Sequence, residues 1–219
     1  MTKSHRMVVT GSNKTRHLDI LPLIEMCRNK RVLELGCGNG WLGYLADLHG
    51  AKEYVGLDAD KVVANGARLL LRQNECKTEV EQVDVSDQVL LSKYLSKSFD
   101  IVFAMAVFQH VDLEKKQLLE LIKLIANNTG ILCARLTNEQ AWILSELGEC
   151  FPIVYFSGLF PQNRINMKDG SVSGHKLTPP KQNFAVAITS KVSENSFPEL
   201  KFSGRWISDH DSLSTPKSI

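Results

Sequence analysis

The stretch that decides the fold is Val32-Leu33-Glu34-Leu35-Gly36-Cys37-Gly38-Asn39-Gly40-Trp41-Leu42-Gly43. Its apolar start is typical of a buried strand, and its apolar end is typical of a helix. Between them glycine recurs at every second position. A glycine backbone accepts positive φ and lets a ligand come close to the main chain. The stretch therefore predicts a strand, a tight turn that contacts a ligand, and a helix.

Two kinds of ligand-binding turn have to be distinguished. A dinucleotide turn has the pattern G-x-G-x-x-G, and Trp41 stands where its third glycine belongs. The negative charge of Glu34 also argues against a pyrophosphate site. Its carboxylate suits an ammonium group or a hydrogen-bond network that holds the loop. Residues 32–40 resemble instead the first motif of the class I S-adenosylmethionine-dependent methyltransferases, (V/I)-L-(D/E)-x-G-x-G-x-G, and match every defined position. A glycine-rich turn without a ligand is the alternative.

Composition indicates one globular domain. Of the 219 residues, 43% are hydrophobic and 23% are charged, which is typical of neither a disordered nor a membrane protein. The net charge of +2 is too small to indicate a nucleic acid or an anionic membrane as partner. The five cysteines have no C-x-x-C spacing, so neither a disulfide framework nor a metal site is expected. Without a signal-peptide pattern or a long apolar run, we expect a cytoplasmic protein.

Strand and helix patterns alternate along most of the chain, which predicts an α/β fold. Helices are predicted for about 17–27, 41–49, 61–73 and 88–97, then after a cap at Asp112, and from a capping box at Thr137–Gln140 to about 150. Strands are predicted for 32–36, 53–57, 78–83, 99–104, 131–135, 153–156 and 184–190.

The resemblance adds a topology to this pattern. It implies a doubly wound, seven-stranded, mostly parallel sheet in the order 3-2-1-4-5-7-6, with an antiparallel last strand and helices on both faces. The methyltransferase domain is predicted to span 1–190, and the long polar segment 158–183 within it is a candidate lid over the substrate. The Ser-rich segment 191–219 is predicted to be a flexible tail.

Two acidic residues follow the second and third predicted strands. Asp58 comes eighteen residues after Gly40, where an acid reaches the ribose of a nucleoside that crosses the glycine loop. The alternative is that Asp58 or Asp60 caps the next helix. By resemblance, Asp84 stands where an acid binds the adenine amino group. Here the alternative is a solvated Asp84 beside the helix cap Asp87.

Further cofactor contacts are implied by the resemblance alone. Those predicted to bind S-adenosylmethionine are Glu34, Gly36, Cys37, Gly38, Asn39, Gly40, Asp58, Ala59, Asp84, Val85 and Ala104. His110 follows the central strand, near the switch point of the sheet, and Phe108 to Val111 resemble a loop of small-molecule methyltransferases. Its imidazole suits a general base at neutral pH, and the alternative is a packing or methionine-positioning role.

The residues after the fourth strand also bear on the acceptor. Residues 104–107 read Ala-Met-Ala-Val, unlike the (N/D/S)-P-P-(Y/F) tetrapeptide with which amino methyltransferases of DNA, and some of RNA or protein, hold a nitrogen. By elimination, methyl transfer to an O or N atom of a small molecule is the leading prediction. RNA methylation and an inactive binding or regulatory subunit remain alternatives. The cations of 158–183 favour an anionic acceptor, and Arg135 is either a further contact to it or a surface charge.

Overall fold

The computed structural model of the chain describes residues 21–137, 140, 142–151, 153–157, 164–165, 172–173 and 182–188. The helices of this part are α1 (Leu21–Glu25), α2 (Trp41–Leu48), α3 (Lys61–Gln73), α4 (Gln88–Leu95), α5 (Lys115–Asn128) and α6 (Ile143–Cys150). Its strands are β1 (Arg31–Leu35), β2 (Glu53–Asp58), β3 (Thr78–Gln82), β4 (Ile101–Met105), β5 (Ile131–Thr137), β6 (Ile153–Ser157), β7 (Arg164–Ile165), β8 (Val172–Ser173) and β9 (Gln182–Ile188).

Two predicted segments lie largely beyond this part of the chain. The tail 191–219 is outside the described residues, and so is most of the candidate lid 158–183. Within the candidate lid, β7 pairs with β8 in antiparallel register.

Five strands form a parallel sheet in the order β3-β2-β1-β4-β5. Each strand is joined to the next along the chain by a helix, as parallel neighbours require. The predicted α/β architecture is confirmed for this part of the sheet. Because β1 pairs with β2 on one side and β4 on the other, the connections run in opposite directions from it. Such a switch point opens a crevice at the carboxyl ends of the strands.

Helices cover both faces of this sheet. Successive strand residues point to opposite faces, and the two apolar cores show the consequence. Leu33 and Val102 belong to a core with residues of α4, α5 and α6. Val32 and Ile101 belong to a second core with residues of α1, α2 and α3. All four side chains are fully buried, so the doubly wound arrangement is confirmed for β1 and β4.

Several predicted boundaries are confirmed by their end groups. α3 spans the predicted residues, and its cap is Asp60, whose Oδ1 accepts from the amides of Val62 at 2.7 Å and Val63 at 3.0 Å. Gly50 has the positive φ expected of the residue that ends α2. The longest helix of the described part, α5, has 14 residues. No helix there is long and apolar enough to cross a membrane.

Two predicted caps are wrong. α5 starts at Lys115 with Glu114 as its cap, rather than directly after Asp112, and the Glu114 amide donates to Gln117 Oε1 at 2.9 Å. Glu114 and Gln117 have the spacing of a capping box, which Asp112 lacks because Lys115 is three residues after it. The other predicted box fails because Thr137 still belongs to β5 and α6 starts only after Trp142. At Thr137 the pairing of β5 with its neighbours in the sheet outweighs a four-residue capping pattern.

Candidate active site

The glycine loop, residues 36–40, connects β1 with α2 through left-handed backbone. φ is 66° at Gly36, 54° at Gly38 and 75° at Gly40, values that side chains disfavour. Gly40 is the residue from which α2 begins. A Cβ built on Gly38 would meet nothing within 4 Å, so the loop borders open space at this point. A ligand has room to contact the main chain here.

Asp58 holds the glycine loop against the end of β2. Its Oδ2 accepts from the Gly38 amide at 2.9 Å, and its Oδ1 accepts from the Asp60 amide at 3.0 Å. Helix capping is done by Asp60, so Asp58 is not needed for it. A carboxylate has about four lone-pair sites, and these two amide bonds leave acceptor capacity on both oxygens. The geometry suits a ligand with neighbouring hydroxyls.

The acids after β3 divide their roles in a similar way. Asp87 caps α4 and accepts from the Leu90 amide at 2.9 Å. Asp84 lies before the helix, where its Oδ1 accepts from the amide of Ser86 at 2.9 Å and from its hydroxyl at 2.7 Å. Asp87 is therefore the helix cap, and Asp84 is exposed, as the alternative describes. The contact of Asp84 with an adenine amino group stays a prediction.

A cleft of about 320 Å³ opens at the carboxyl edge of the sheet, at the switch point between β1 and β4. Its wall brings together half of the residues predicted for the site. These are Gly36, Asp58, Ala59, Asp84, Val85 and His110. Residues far apart in the chain thus meet at one cavity, as the strand topology requires.

The other predicted contacts lie outside the wall of this cleft. Cys37, Gly40 and Ala104 are buried, and Asn39 uses its side-chain oxygen to accept from the Trp41 amide at 3.3 Å. Gly38 borders open space but does not line the cleft. The structure supports these residues as the frame of the loop, and their contact with a cofactor stays a prediction.

Glu34 lies beneath the loop and is 4% exposed. Its carboxyl accepts a short hydrogen bond from the Tyr54 hydroxyl. Burial raises the pKa of Glu34 to about 8, the bond from Tyr54 opposes this rise, and the negative charge of Asp58 adds to it. Of the two predicted roles, the hydrogen-bond network is therefore present. Tyr54 was not predicted, because nothing in a β2 strand pattern distinguishes a tyrosine that reaches a neighbouring strand.

Six further residues line the cleft that were not among the predicted site residues. They are Val83, Ser86, Ala106, Val107, Val111 and Asp112. Four of them lie in one turn, residues 106–112, directly after β4. Their position after a central strand was the available signal, because ligands bind beyond the carboxyl ends of strands.

His110 is an exposed residue of this turn. Its amide donates to Val107 O at 2.8 Å, and its Nε2 lies 3.3 Å from Gln109 Nε2. The ring thus lines the cleft instead of packing in a core. Among the described residues, no group of three or more His, Cys, Asp or Glu could hold a metal ion.

This arrangement suits a nucleoside cofactor that carries an amino-acid tail. The open space at Gly38 accepts a group close to the main chain, Asp58 suits ribose hydroxyls, and Asp84 with Val85 suits the edge and face of a base. His110 completes the wall on the side of β4. This arrangement of hydrogen-bond acceptors fits S-adenosylmethionine.

Comparisons with known proteins agree with this description. A family model described as a methyltransferase domain matches residues 27–158, more than half of the chain. The matched range contains the glycine loop, Asp58, Asp84 and His110. Comparison with curated proteins gives no match.

Solved structures share the fold at low identity. The chain is 17% identical to the magnesium protoporphyrin IX methyltransferase ChlM of Synechocystis PCC 6803 with bound SAM, with a TM-score of 0.56 over 80% of this chain and 79% of that one. It is 16% identical to the methyltransferase domain of bacterial CtHen1-C, with a TM-score of 0.58 over 81% and 99%. With the bifunctional kinase-methyltransferase WbdD it shares 16% identity and a TM-score of 0.57, over 83% of this chain and 43% of that one. The chain thus spans less than half of WbdD.

The glycine loop, the cleft at the switch point and the family match over residues 27–158 lead to one conclusion. The chain belongs to the methyltransferase domain family and is an S-adenosylmethionine-dependent methyltransferase.

Proposed function

We propose that this enzyme transfers the methyl group to an O or N atom of a small-molecule acceptor. The observation that carries the proposal is His110, whose exposed imidazole lines the same cleft as Asp58 and Asp84. When bound, S-adenosylmethionine supplies an electrophilic methyl group. The residues of this chain then have to hold the cofactor, align the acceptor and take up a proton from it.

The described residues divide this work among three sides of the cleft. Asp58 accepts hydrogen bonds from the ribose hydroxyls, and Asp84 accepts from the adenine amino group. His110, on the third side, removes the proton from a hydroxyl or a protonated nitrogen as the acceptor atom is methylated. Imidazole is a common general base at neutral pH.

The charge of the wall bears on the acceptor. With Asp58 and Asp84 assigned to the cofactor, Asp112 is the remaining charged residue among the described lining residues, which include no lysine or arginine. This supports an acceptor whose reacting end is neutral or cationic. The anionic acceptor predicted from the sequence would need cations from 158–183, a segment mostly outside the described residues.

The name of one structural neighbour supports a small-molecule acceptor. ChlM is a magnesium protoporphyrin IX methyltransferase, so this fold is used for an acceptor that is not a macromolecule. At 17% identity this supports the class of acceptor and no particular compound.

A labelling experiment tests the proposal. The protein is incubated with S-adenosylmethionine labelled in the methyl group and a metabolite extract, and in parallel with a total cell lysate. The products are then separated by size. We expect label in the small-molecule fraction. Label found only in the RNA of a total cell lysate would support RNA methylation, and cofactor binding without any transfer would support an inactive binding or regulatory subunit.

The variant His110→Ala tests the base. With the labelled acceptor, we expect turnover to fall by roughly 10²–10⁴, because the base acts in the transition state. This loss of turnover should shrink at high pH. The Kd for S-adenosylhomocysteine should stay near that of the wild type. The control is His49→Ala, which removes an imidazole at the end of α2 that does not line the cleft. Unchanged turnover with weaker cofactor binding would assign His110 a packing or positioning role.

We also propose that the sheet has seven strands, with β9 antiparallel between β5 and β6. This is the order that the resemblance implies. Support comes from seven residue pairs between β5 and β9, from Ile131 with Ile188 to Thr137 with Gln182, and from five pairs between β9 and β6.

A cytoplasmic location is part of the same proposal. Its support is that all five cysteines are free, which suits a reducing compartment. Microscopy of the protein fused to a fluorescent label tests it.

A further inference from the structure

Val107 occupies the space that the missing side chain of Gly36 leaves. A Cβ built on Gly36 would lie 2.7 Å from Val107 Cγ2 and 3.1 Å from Val107 Cβ. The first distance is shorter than real Cβ contacts, so the glycine and the valine are complementary in shape. Both residues line the cleft. The glycine loop and the turn after β4 are therefore in direct contact at the cavity.

The backbone before Val107 is held in a conformation that side chains disfavour. Ala106 has a φ of 61°, in the left-handed region. Such strain persists only where the surroundings fix it. Here the Ala106 amide donates to Arg135 O of β5 at 3.2 Å. The left-handed residue turns the chain at the end of β4, and the next side chain is Val107.

Val107 also contacts the proposed base through the main chain. Its carbonyl accepts from the His110 amide at 2.8 Å. The side chain of Val107 thus touches the cofactor loop, and its backbone holds His110. Val107 is 9% exposed and belongs to the core that covers the α4, α5 and α6 side of the sheet, so it has little freedom to move alone.

We propose that Val107 is a positioning residue, which couples the glycine loop to the turn 106–112 so that a cofactor seated on the loop orders the turn that carries His110. This inference rests on the proposed function of His110 and extends it to a residue that touches neither the acceptor atom nor the proton. Its consequence is that the cofactor binds first and prepares the acceptor side of the cleft.

Hydrogen exchange measured by mass spectrometry tests the coupling, with S-adenosylhomocysteine as the probe. In the wild type, saturating probe is expected to slow exchange of the amides of 106–113 by at least about fivefold, because ordering a turn reduces its local opening. In Val107→Ala, with the probe at a concentration that saturates the variant, the slowing is expected to fall below about twofold. Val107→Ile keeps the γ branch and should retain the slowing.

The control is Leu48→Ala at the end of α2, where the leucine is 57% exposed and does not line the cleft. It should match the wild type. Slowing of 106–113 that persists in Val107→Ala would show that the probe covers the turn directly, and this would overturn the coupling alone. Failure of the probe to bind the wild type would overturn both the cofactor assignment and the coupling.

A second measurement tests the contact in the free protein. Gly36→Ala should lower the Tm, because the new Cβ meets Val107 and the backbone is left-handed. Adding Val107→Ala to Gly36→Ala removes the γ carbons from that space and should leave the Tm no lower than in Gly36→Ala alone. A double variant whose Tm falls by the sum of the two single losses would overturn the shared space, and with it the proposal.

Discussion

The Glu34 carboxyl shows how one residue of a motif supports the loop from beneath. It is 4% exposed and accepts from the Tyr54 hydroxyl. The tyrosine ring has room because Gly43 and Gly56 lack side chains: a Cβ on Gly43 would lie 2.6 Å from the ring, and one on Gly56 would lie 3.0 Å from the hydroxyl oxygen. An acid, a tyrosine and two glycines therefore form one unit beneath the glycine loop.

Stability should depend on pH through this acid. The native pKa of Glu34 is raised to about 8 from an ordinary value of 4.5. Between these values the native state holds a proton that the unfolded state has lost, so the free energy of unfolding falls as pH rises. Below about 4.5 this penalty is absent, and above about 8 it is complete. The groups that act on Glu34 are Tyr54 and Asp58, and the thiols of Cys27 and Cys37 are affected by its charge.

The variant Glu34→Gln tests this dependence. Glutamine resembles the protonated acid, so the variant should gain stability relative to the wild type as pH rises from 5 to 8, by on the order of 3 kcal/mol at the upper end. Urea unfolding at several pH values measures it. The control is Glu25→Gln, an exposed acid at the end of α1, for which the difference should stay constant. A constant difference for Glu34→Gln as well would contradict a buried, protonated Glu34.

For single residues, the sequence predicted which side chains lie at the cleft better than it predicted which groups they contact. Asp58 and Asp84 were predicted from their places after strands, and both line the cleft. The choice between Asp58 and Asp60 as helix cap needed the structure, because either acid has the required chemistry. Val107 was missed because its role depends on a glycine more than seventy residues away in the chain, and such a contact leaves no local signal.

Two helices show how packing competes with helix propensity. Gly43 lies in α2 against the Tyr54 ring, and Gly66 lies in α3 with nothing within 4 Å of a built Cβ. Alanine is favoured over glycine in a helix by about 1 kcal/mol. Overpacking a filled site costs about 1–3 kcal/mol. The same substitution should therefore have opposite effects in the two helices.

The variants Gly43→Ala and Gly66→Ala make a matched pair. Gly66→Ala should raise the free energy of unfolding by about 0.5–1 kcal/mol, because the new methyl group meets no atoms. Gly43→Ala should lower it by about 1–2 kcal/mol, since the ring contact outweighs the helix propensity. Denaturant unfolding measures both. Equal stabilisation by the two substitutions would mean that the Tyr54 ring moves aside at no cost.

Helices with a sustained apolar periodicity and strands with a strong apolar run could be predicted from the sequence. The residues at which they begin and end were less predictable. α3 was placed by its helical spacing and β4 by its apolar run. The starts of α5 and α6 were wrong because residue types that cap helices also occur in loops, as at Asp112, and at the ends of strands, as at Thr137. Where β5 continues to Thr137, the sheet decides, and a four-residue pattern carries too little information to oppose it.

Across the whole molecule, the carboxyl edge of the sheet forms the cleft, and stabilising side-chain contacts lie at the amino edge. At the amino edge, Arg31 pairs with Glu53 at 2.8 Å, donates to the carbonyls of Lys97 and Ser98, and lies over the Phe99 ring at 5.3 Å. This ties the connection before β4 to β1 and β2. At the carboxyl edge, the bond from the Gly38 amide to Asp58 and the contact of Val107 with Gly36 hold the loops that surround the cleft. This cleft is the predicted site of the cofactor.

Binding of the cofactor should therefore stabilise the whole fold. A ligand at about 100 times its Kd that binds only the native state adds about 2.7 kcal/mol to the free energy of unfolding, which for a chain of this size raises the Tm by roughly 5–10 °C. We expect this rise with S-adenosylhomocysteine and none with NAD, because Trp41 stands where a dinucleotide turn needs glycine.

In Asp58→Asn the rise should shrink at the same ligand concentration, since the amide nitrogen cannot accept from the Gly38 amide or a ribose hydroxyl. The control Asp60→Asn exchanges one good helix cap for another and should keep the full rise. A rise with NAD and none with S-adenosylhomocysteine, measured by differential scanning fluorimetry, would falsify the cofactor assignment.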